Sequence, residues 1–226
     1  MRVFFDIDGT LLDDQAATTR AASAFYKMFS AKLPFAEVTF YSVWQESFRR
    51  QFDRFTSGEI SFQEQRRYRM RELFASENLS DSEADARFNI YLRHYESQWL
   101  LLSDVVRCLE SLSSMPLGII SNGSTAQQHQ KLRQTRILDR FRTVVISEEL
   151  GIAKPAPEIF QTACVRAGID PSEAIYVGDQ LSDDALASRS AGLRGIWLRR
   201  ASSSNSQPAG ITVISTLDYL VDAMGG

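Results

Sequence analysis

The pattern of the chain changes near residue 14 and changes back near residue 100, and this interruption constrains the fold more than any other feature. Outside it, short apolar runs recur at Val3–Phe5, Leu117–Ile120, Val144–Ile146, Ile175–Val177 and Ile196–Leu198, with a weaker one at Ile211–Ile214. Helix-like stretches near 104–113, 125–134, 156–167 and 182–191 separate most of them. Fully apolar strands alternating with helices predict a parallel sheet covered on both faces, since a face left to water would show alternation. Inside the interruption stand one glycine (Gly58), one proline (Pro34) and almost no β-branched run, so the segment reads as helical throughout. Ser61 with Glu64, and Ser80 with Glu83, each fit a capping box. Four helices are predicted, near 15–30, 36–56, 62–76 and 81–100. The expected fold is α/β: a Rossmann-like parallel-sheet core of residues 1–13 and 101–226, with an all-α, four-helix cap of residues 14–100 inserted after the first strand.

The inserted segment holds 17 of the 24 aromatic residues. Phe40, Trp44, Phe48, Phe52 and Phe55 recur at helical spacing and are expected on one helix face, as are Phe88, Leu92, Tyr95 and Trp99. Such a stripe reads first as bundle core, with one or two surplus rings left to face a ligand. Arg66, Arg67, Arg69 and Arg71 read as a solvated helix face paired with nearby acids.

Several function classes are excluded by composition. With 25 Lys+Arg against 28 Asp+Glu the formal net charge is −3, which argues against electrostatic capture of nucleic acid or an anionic membrane. Cys108 and Cys164 are too few for a disulfide framework, and His94 and His129 too few for a histidine-rich zinc site. No apolar run approaches the ~20 residues of a membrane span. The first residues meet Asp6 too early for a signal peptide, so the expectation is a cytoplasmic protein. Residues 201–210, rich in serine, read as a solvated loop.

Chemistry collects where the apolar runs end. The first is followed by Asp6-Ile7-Asp8-Gly9-Thr10, the second by Ser121-Asn122-Gly123, the third within a few residues by Lys154-Pro155, and the fourth by Gly178-Asp179 and then Asp183-Asp184. In an open parallel sheet the carboxyl ends of the strands line one crevice, where ligands bind. Asp6, Asp8, Asp179 and Asp184 would converge there with Lys154 as the visible compensating charge, and carboxylates so close raise each other's pKa or need a cation. An all-oxygen donor set suits a hard ion, and Mg²⁺ better than Ca²⁺. Ser121 and Asn122 offer a hydroxyl and backbone N–H groups to an anion at a helix N-terminus. A carboxylate nucleophile, a metal, a lysine and an anion cradle together describe phosphoryl transfer. Taken singly, each motif also has a structural reading: a strand-end turn, a helix cap, a surface lysine, or acids in a first helical turn.

Taken in order, Asp6-x-Asp8-Gly9-Thr10, Ser121-Asn122-Gly123, Lys154-Pro155 and Gly178-Asp179 with Asp184 resemble the four motifs of the haloacid dehalogenase-like hydrolase superfamily. The resemblance spans the chain, including a helical insertion just after the first motif. It implies that Asp6 is the nucleophile and that Asp8 protonates the leaving oxygen and then takes a proton from water. Ser121, Asn122, Gly123 and Lys154 would bind the phosphoryl group. It also implies Mg²⁺ held by Asp6, the backbone carbonyl of Asp8, Asp179 and Asp184, with Asp183 less involved. An acid at position 8 points to a phosphatase, since the dehalogenases of the superfamily lack one. The run Ile146–Pro155 looks similar to the pyrimidine 5′-nucleotidase branch. The expected substrate is thus a small phosphate ester, with a nucleoside monophosphate favoured over a sugar phosphate or other metabolite. A catalytically silent binding or regulatory protein on the same fold is the alternative from another class.

Overall fold

A computed structural model describes residues 1–76, 78–200 and 208–225. The predicted loop at 201–210 therefore lies mostly outside the described residues. The chain divides into two compact units, Met1–Asp13 with Leu100–Gly226, and Asp14–Trp99.

The first unit is built on six parallel strands: β1 (Arg2–Phe5), β2 (Leu117–Ser121), β3 (Phe141–Ile146), β4 (Ala174–Gly178), β5 (Arg194–Leu198) and β6 (Thr212–Ile214), in the order β3-β2-β1-β4-β5-β6. Val3, Phe4 and Phe5 are all fully buried. Because successive strand residues face opposite sides, both faces of the sheet are covered, as their unbroken apolar character predicted. On one face Phe4, Ile120, Val145 and Tyr176 cluster with Ile159, Phe160 and Ala163. Strand order reverses at β1, which places β2 and β3 on one side and β4 to β6 on the other. Such a reversal opens a crevice at the carboxyl ends of its two central strands. β1 and β4 are those strands, and the Asp6 N–H donates to the Val177 carbonyl at 2.9 Å, so Asp6 and Asp179 leave the sheet side by side.

The second unit consists of α1 (Asp14–Phe29), α2 (Glu37–Thr56), α3 (Phe62–Leu73) and α4 (Asp81–Glu96), joined by short connections. Both predicted capping boxes form, Ser61 with Glu64 opening α3 and Ser80 with Glu83 opening α4. The aromatic stripe of α2 departs from expectation. Its buried face runs through Phe40, Trp44, Ser47 and Gln51, whereas Phe48 is 43% exposed and Phe52 and Phe55 are half-buried. Steps of four residues overshoot a 3.6-residue turn by about 40° each, so the aromatic run winds out of the core while the 4-3-4 spacing stays in it. On α4 the expected rings Phe88 and Tyr95 are buried and Tyr91 joins them, while Leu92 is only half-buried and Trp99, also buried, lies beyond the helix.

The arginines of α3 also divide. Arg67 pairs with Asp81 and Asp85, and Arg71 with Asp81, as expected of a solvated face. Arg69 is instead buried, its guanidinium 4.9 Å from the Trp44 ring centre, 5.0 Å from Phe48 and 5.3 Å from Phe88. It stands on the inward face with Gln65 and Leu73, one turn away on either side.

In the same unit as the sheet, α5 (Val105–Ser111) precedes β2, α6 (Thr125–Gln134) follows it, and the single turn α7 (Ser147–Leu150) and α8 (Pro157–Ala167) follow β3. After β4 the chain enters a π-helical turn, Leu181–Leu186, which continues into Ala187–Ser190. Among the described residues, no helix is long and apolar enough to cross a membrane.

Candidate active site

Three carboxylates meet at the carboxyl ends of β1 and β4. Asp6, Asp179 and Asp184 each present an oxygen, and these oxygens lie within 4.8 Å of one another. Asp6 follows β1, Asp179 follows β4, and the π-helical turn carries Asp184 back beneath them. Two glycines make the approach possible. A Cβ on Gly9, whose φ is +79°, would sit 2.6 Å from an oxygen of Asp179, and one on Gly178 would collide with the Asp184 side chain. Asp184 is anchored by the Gln180 N–H at 2.8 Å, and the Trp197 indole N–H holds the Asp179 carbonyl at 2.9 Å. Asp183 stays out of the cluster and accepts from the Ser182 hydroxyl.

The cluster is short of positive charge. Burial, opposed by Lys154 but reinforced by Asp184 and Asp8, pushes the Asp6 carboxyl up to about 6. Burial together with Asp6 and Asp184 pushes Asp179 up to about 7. Three crowded oxygen donors, two of them reluctant to ionise without a further cation, fit a hard divalent ion.

Lys154 is buried among the acids. Its ammonium donates to Asp6 at 2.9 Å, to Asp184 at 2.6 Å and to the Tyr176 hydroxyl at 2.9 Å, which satisfies all three N–H groups. Burial favours the neutral amine, but Asp184 and Asp6 outweigh it and hold Lys154 protonated, above its usual range. Tyr176 in turn donates to the Ile120 carbonyl at 2.8 Å, tying the lysine to the sheet. The Asn122 side chain grips the Lys154 main chain, accepting from its N–H at 2.8 Å and donating to its carbonyl at 3.0 Å. The side-chain amide of Asn122 thus positions the Lys154 main chain.

The acid at position 8 stands apart. Asp8 is 31% exposed at its side chain and turns to α6, where Lys131 donates to both of its oxygens at 2.6 and 2.7 Å and the Gln128 amide approaches at 3.0 Å. The same Gln128 nitrogen lies 3.0 Å from the buried Ser121 hydroxyl. The Gly123 N–H donates to the Ser147 hydroxyl at 3.0 Å and the Thr125 N–H to Glu148 at 2.8 Å, so α7 satisfies the entry to α6.

Sequence reasoning counted Lys154 as the single compensating cation, and the structure adds Lys131. It also missed Tyr176, Gln128 and Ser147. One signal was available: the chain has four lysines beside 21 arginines, and only Lys131 and Lys154 lie outside the helical segment. Tyr176 offered none, since a strand tyrosine reads as core.

The profile of haloacid dehalogenase-like hydrolases matches residues 1–192. The chain belongs to that family. Glyceraldehyde 3-phosphate phosphatase from Methanopyrus kandleri is 39% identical over 107 residues, 46% of this chain and 46% of the relative. Pyrimidine 5′-nucleotidase YjjG from Escherichia coli is 41% identical over 105 residues, again 46% of each. These matches span about half the length of either relative. Among solved structures, YfnB from Bacillus subtilis superposes with a TM-score of 0.84 over 100% of this chain and 98% of its own, at 22% identity, which speaks for the fold.

Proposed function

We propose that this family member is a Mg²⁺-dependent phosphatase that hydrolyses a small phosphomonoester, with a nucleoside monophosphate as favoured substrate. One observation carries the reading: buried Lys154 bridges Asp6 and Asp184 while a separate carboxylate, Asp8, stands two residues from Asp6 and outside the trio. Two carboxylates in unlike surroundings suit two roles, nucleophile and acid/base. An Asp6 oxygen attacks phosphorus, forming the acyl phosphate as the bond from phosphorus to the leaving oxygen breaks, and Asp8 gives that oxygen its proton. Water then attacks phosphorus, Asp8 takes the proton, and the Asp6 carboxylate is released. The Ser121 hydroxyl, the Asn122 backbone N–H and Lys154 hold the phosphoryl oxygens, with Gly123 shaping the turn. Asp6, Asp179 and Asp184, with the backbone carbonyl of Asp8, would hold Mg²⁺, which when bound neutralises the charge on the phosphoryl oxygens.

In this reading residues 1–13 and 101–226 perform the reaction, and the 14–100 segment is the cap that selects the leaving group. The match to a pyrimidine 5′-nucleotidase supports the nucleotide, and the match to a glyceraldehyde 3-phosphate phosphatase supports a sugar phosphate as second reading.

Nucleoside monophosphates and small sugar phosphates assayed side by side separate the two. Higher kcat/KM on nucleotides supports the first reading, and the reverse order replaces it with the second. Asp6→Asn should lower turnover of every substrate by ~10³-fold or more while the protein stays folded. Retained turnover would remove Asp6 from the nucleophile role. No turnover by the unaltered protein on any phosphate would favour the silent binding protein.

A further inference from the structure

Lys131 has no part in the scheme above, yet it is one of the most tightly placed groups in the molecule. It is 2% exposed, and its ammonium lies 2.6 and 2.7 Å from the two oxygens of Asp8. Gln128, three residues earlier and equally buried, donates toward the second of those oxygens at 3.0 Å. The i, i+3 spacing sets both groups on one face of α6. Gln128 also reaches Ser121, at 3.0 Å, so one helix face ties the acid at the end of β1 to the hydroxyl at the end of β2.

A buried ammonium is costly unless a carboxylate meets it, and helical lysines on this chain's other unit, Lys27 and Lys32, stay exposed. A partly exposed aspartate, by contrast, needs no buried partner for stability. The expense falls on Lys131, and what it delivers is a single placement of Asp8. Free to rotate about χ1, an aspartate would sample three staggered positions. Gripped on both oxygens, it has one.

We infer that Lys131, assisted by Gln128, is a positioning residue that holds Asp8 where it can serve the leaving oxygen. The inference rests on the proposed phosphatase reading and deepens it. It has a consequence that a structural ion pair lacks. An alkyl phosphate needs a proton on its leaving oxygen, whereas a nitrophenyl phosphate releases a phenolate that is stable without one. General acid catalysis contributes about 10²–10⁴-fold where it is needed. The parameter kcat/KM reports the steps through phosphoryl transfer to Asp6 and leaves out the later attack of water, so it isolates the acid role.

The experiment compares unaltered protein, Lys131→Met and Asp6→Asn on an alkyl phosphate and on 4-nitrophenyl phosphate, with Mg²⁺ present. In Lys131→Met, kcat/KM should fall about 100-fold on the alkyl ester and less than tenfold on the nitrophenyl ester. Gln128→Met, a milder change, should show the same asymmetry at smaller size and serves if Lys131→Met does not fold. Equal losses on both esters, or none on either, would overturn the positioning role while leaving the phosphatase reading intact. If the unaltered protein cleaves neither ester, the phosphatase reading falls and this inference falls with it. An Asp6→Asn variant inactive on both esters alongside an asymmetric Lys131→Met supports both.

Discussion

The two units bury positive charge in opposite ways. In the α/β unit, Lys131 and Lys154 are buried with carboxylate oxygens 2.6–2.9 Å from their nitrogens. In the helical unit the buried cation is Arg69, laid on the rings of Trp44, Phe48 and Phe88. Its Nε has no acceptor among the described residues, and burial lowers its affinity for the proton to about 10. A point charge held by fixed oxygens demands one geometry, while a guanidinium on aromatic faces tolerates several. The first arrangement suits chemistry at defined atoms. The second suits a bundle whose inner surface can vary.

That contrast can be broken by experiment, most severely at the carboxylate trio. Chelation should abolish phosphatase activity and added Mg²⁺ should restore it, with the far-UV circular dichroism of the helices unchanged throughout. Full activity in chelator would sever the trio from the reaction.

A smaller effect is expected at Asp104, the other buried acid network of the α/β unit. It accepts from the two terminal Nη atoms of Arg200 at 2.7 and 3.0 Å, the Thr216 hydroxyl at 2.7 Å and the Leu217 N–H at 2.8 Å. Burial pushes this carboxyl up, but Arg200, the Leu217 N–H and the Thr216 hydroxyl outweigh it and hold it at about 2. The value is below that of a free aspartate, so the fold favours the ionised form. Its contribution of about 2 kcal/mol is present above pH ~4 and is lost as pH falls toward 2. Urea unfolding of Asp104→Asn should show that loss at pH 7 and converge on the unaltered protein in acid; a gap independent of pH would contradict the ionic origin.

The smallest effect belongs to the helical unit. Arg69→Met replaces a desolvated cation by an apolar chain of similar reach, and stability should change by less than about 1 kcal/mol in either direction. A loss of several kcal/mol in the same urea assay would show that the aromatic contacts hold the charge as strictly as the carboxylates do.

Much of the site was legible before any coordinates. Asp6, Ser121, Asp179 and Asp184 stand out because each follows an apolar run, and the parallel topology sends every such run to one edge. Lys131 and Gln128 were not legible as partners of Asp8, because they arrive from 123 and 120 residues away on a helix whose polar composition reads as solvent-facing. Asn122 was legible as polar and near the site, but not as the clamp on Lys154, because a side-chain amide can serve an anion or a peptide bond equally well. On α2 the spacing marked a stripe, and the drift of four-residue steps decided which part of it was buried.

Local pattern determined what is local: strand and helix alternation, the two capping boxes of the helical unit, and which residue types close each strand. Periodicity and capping act over a few residues, so a linear reading captures them. Tertiary structure decided which charges meet, sending Lys154 to Asp6 and Asp184, Lys131 to Asp8, and Arg69 to aromatic rings. Those pairings depend on distances across the fold, and over such spans a sequence names the charges without matching them.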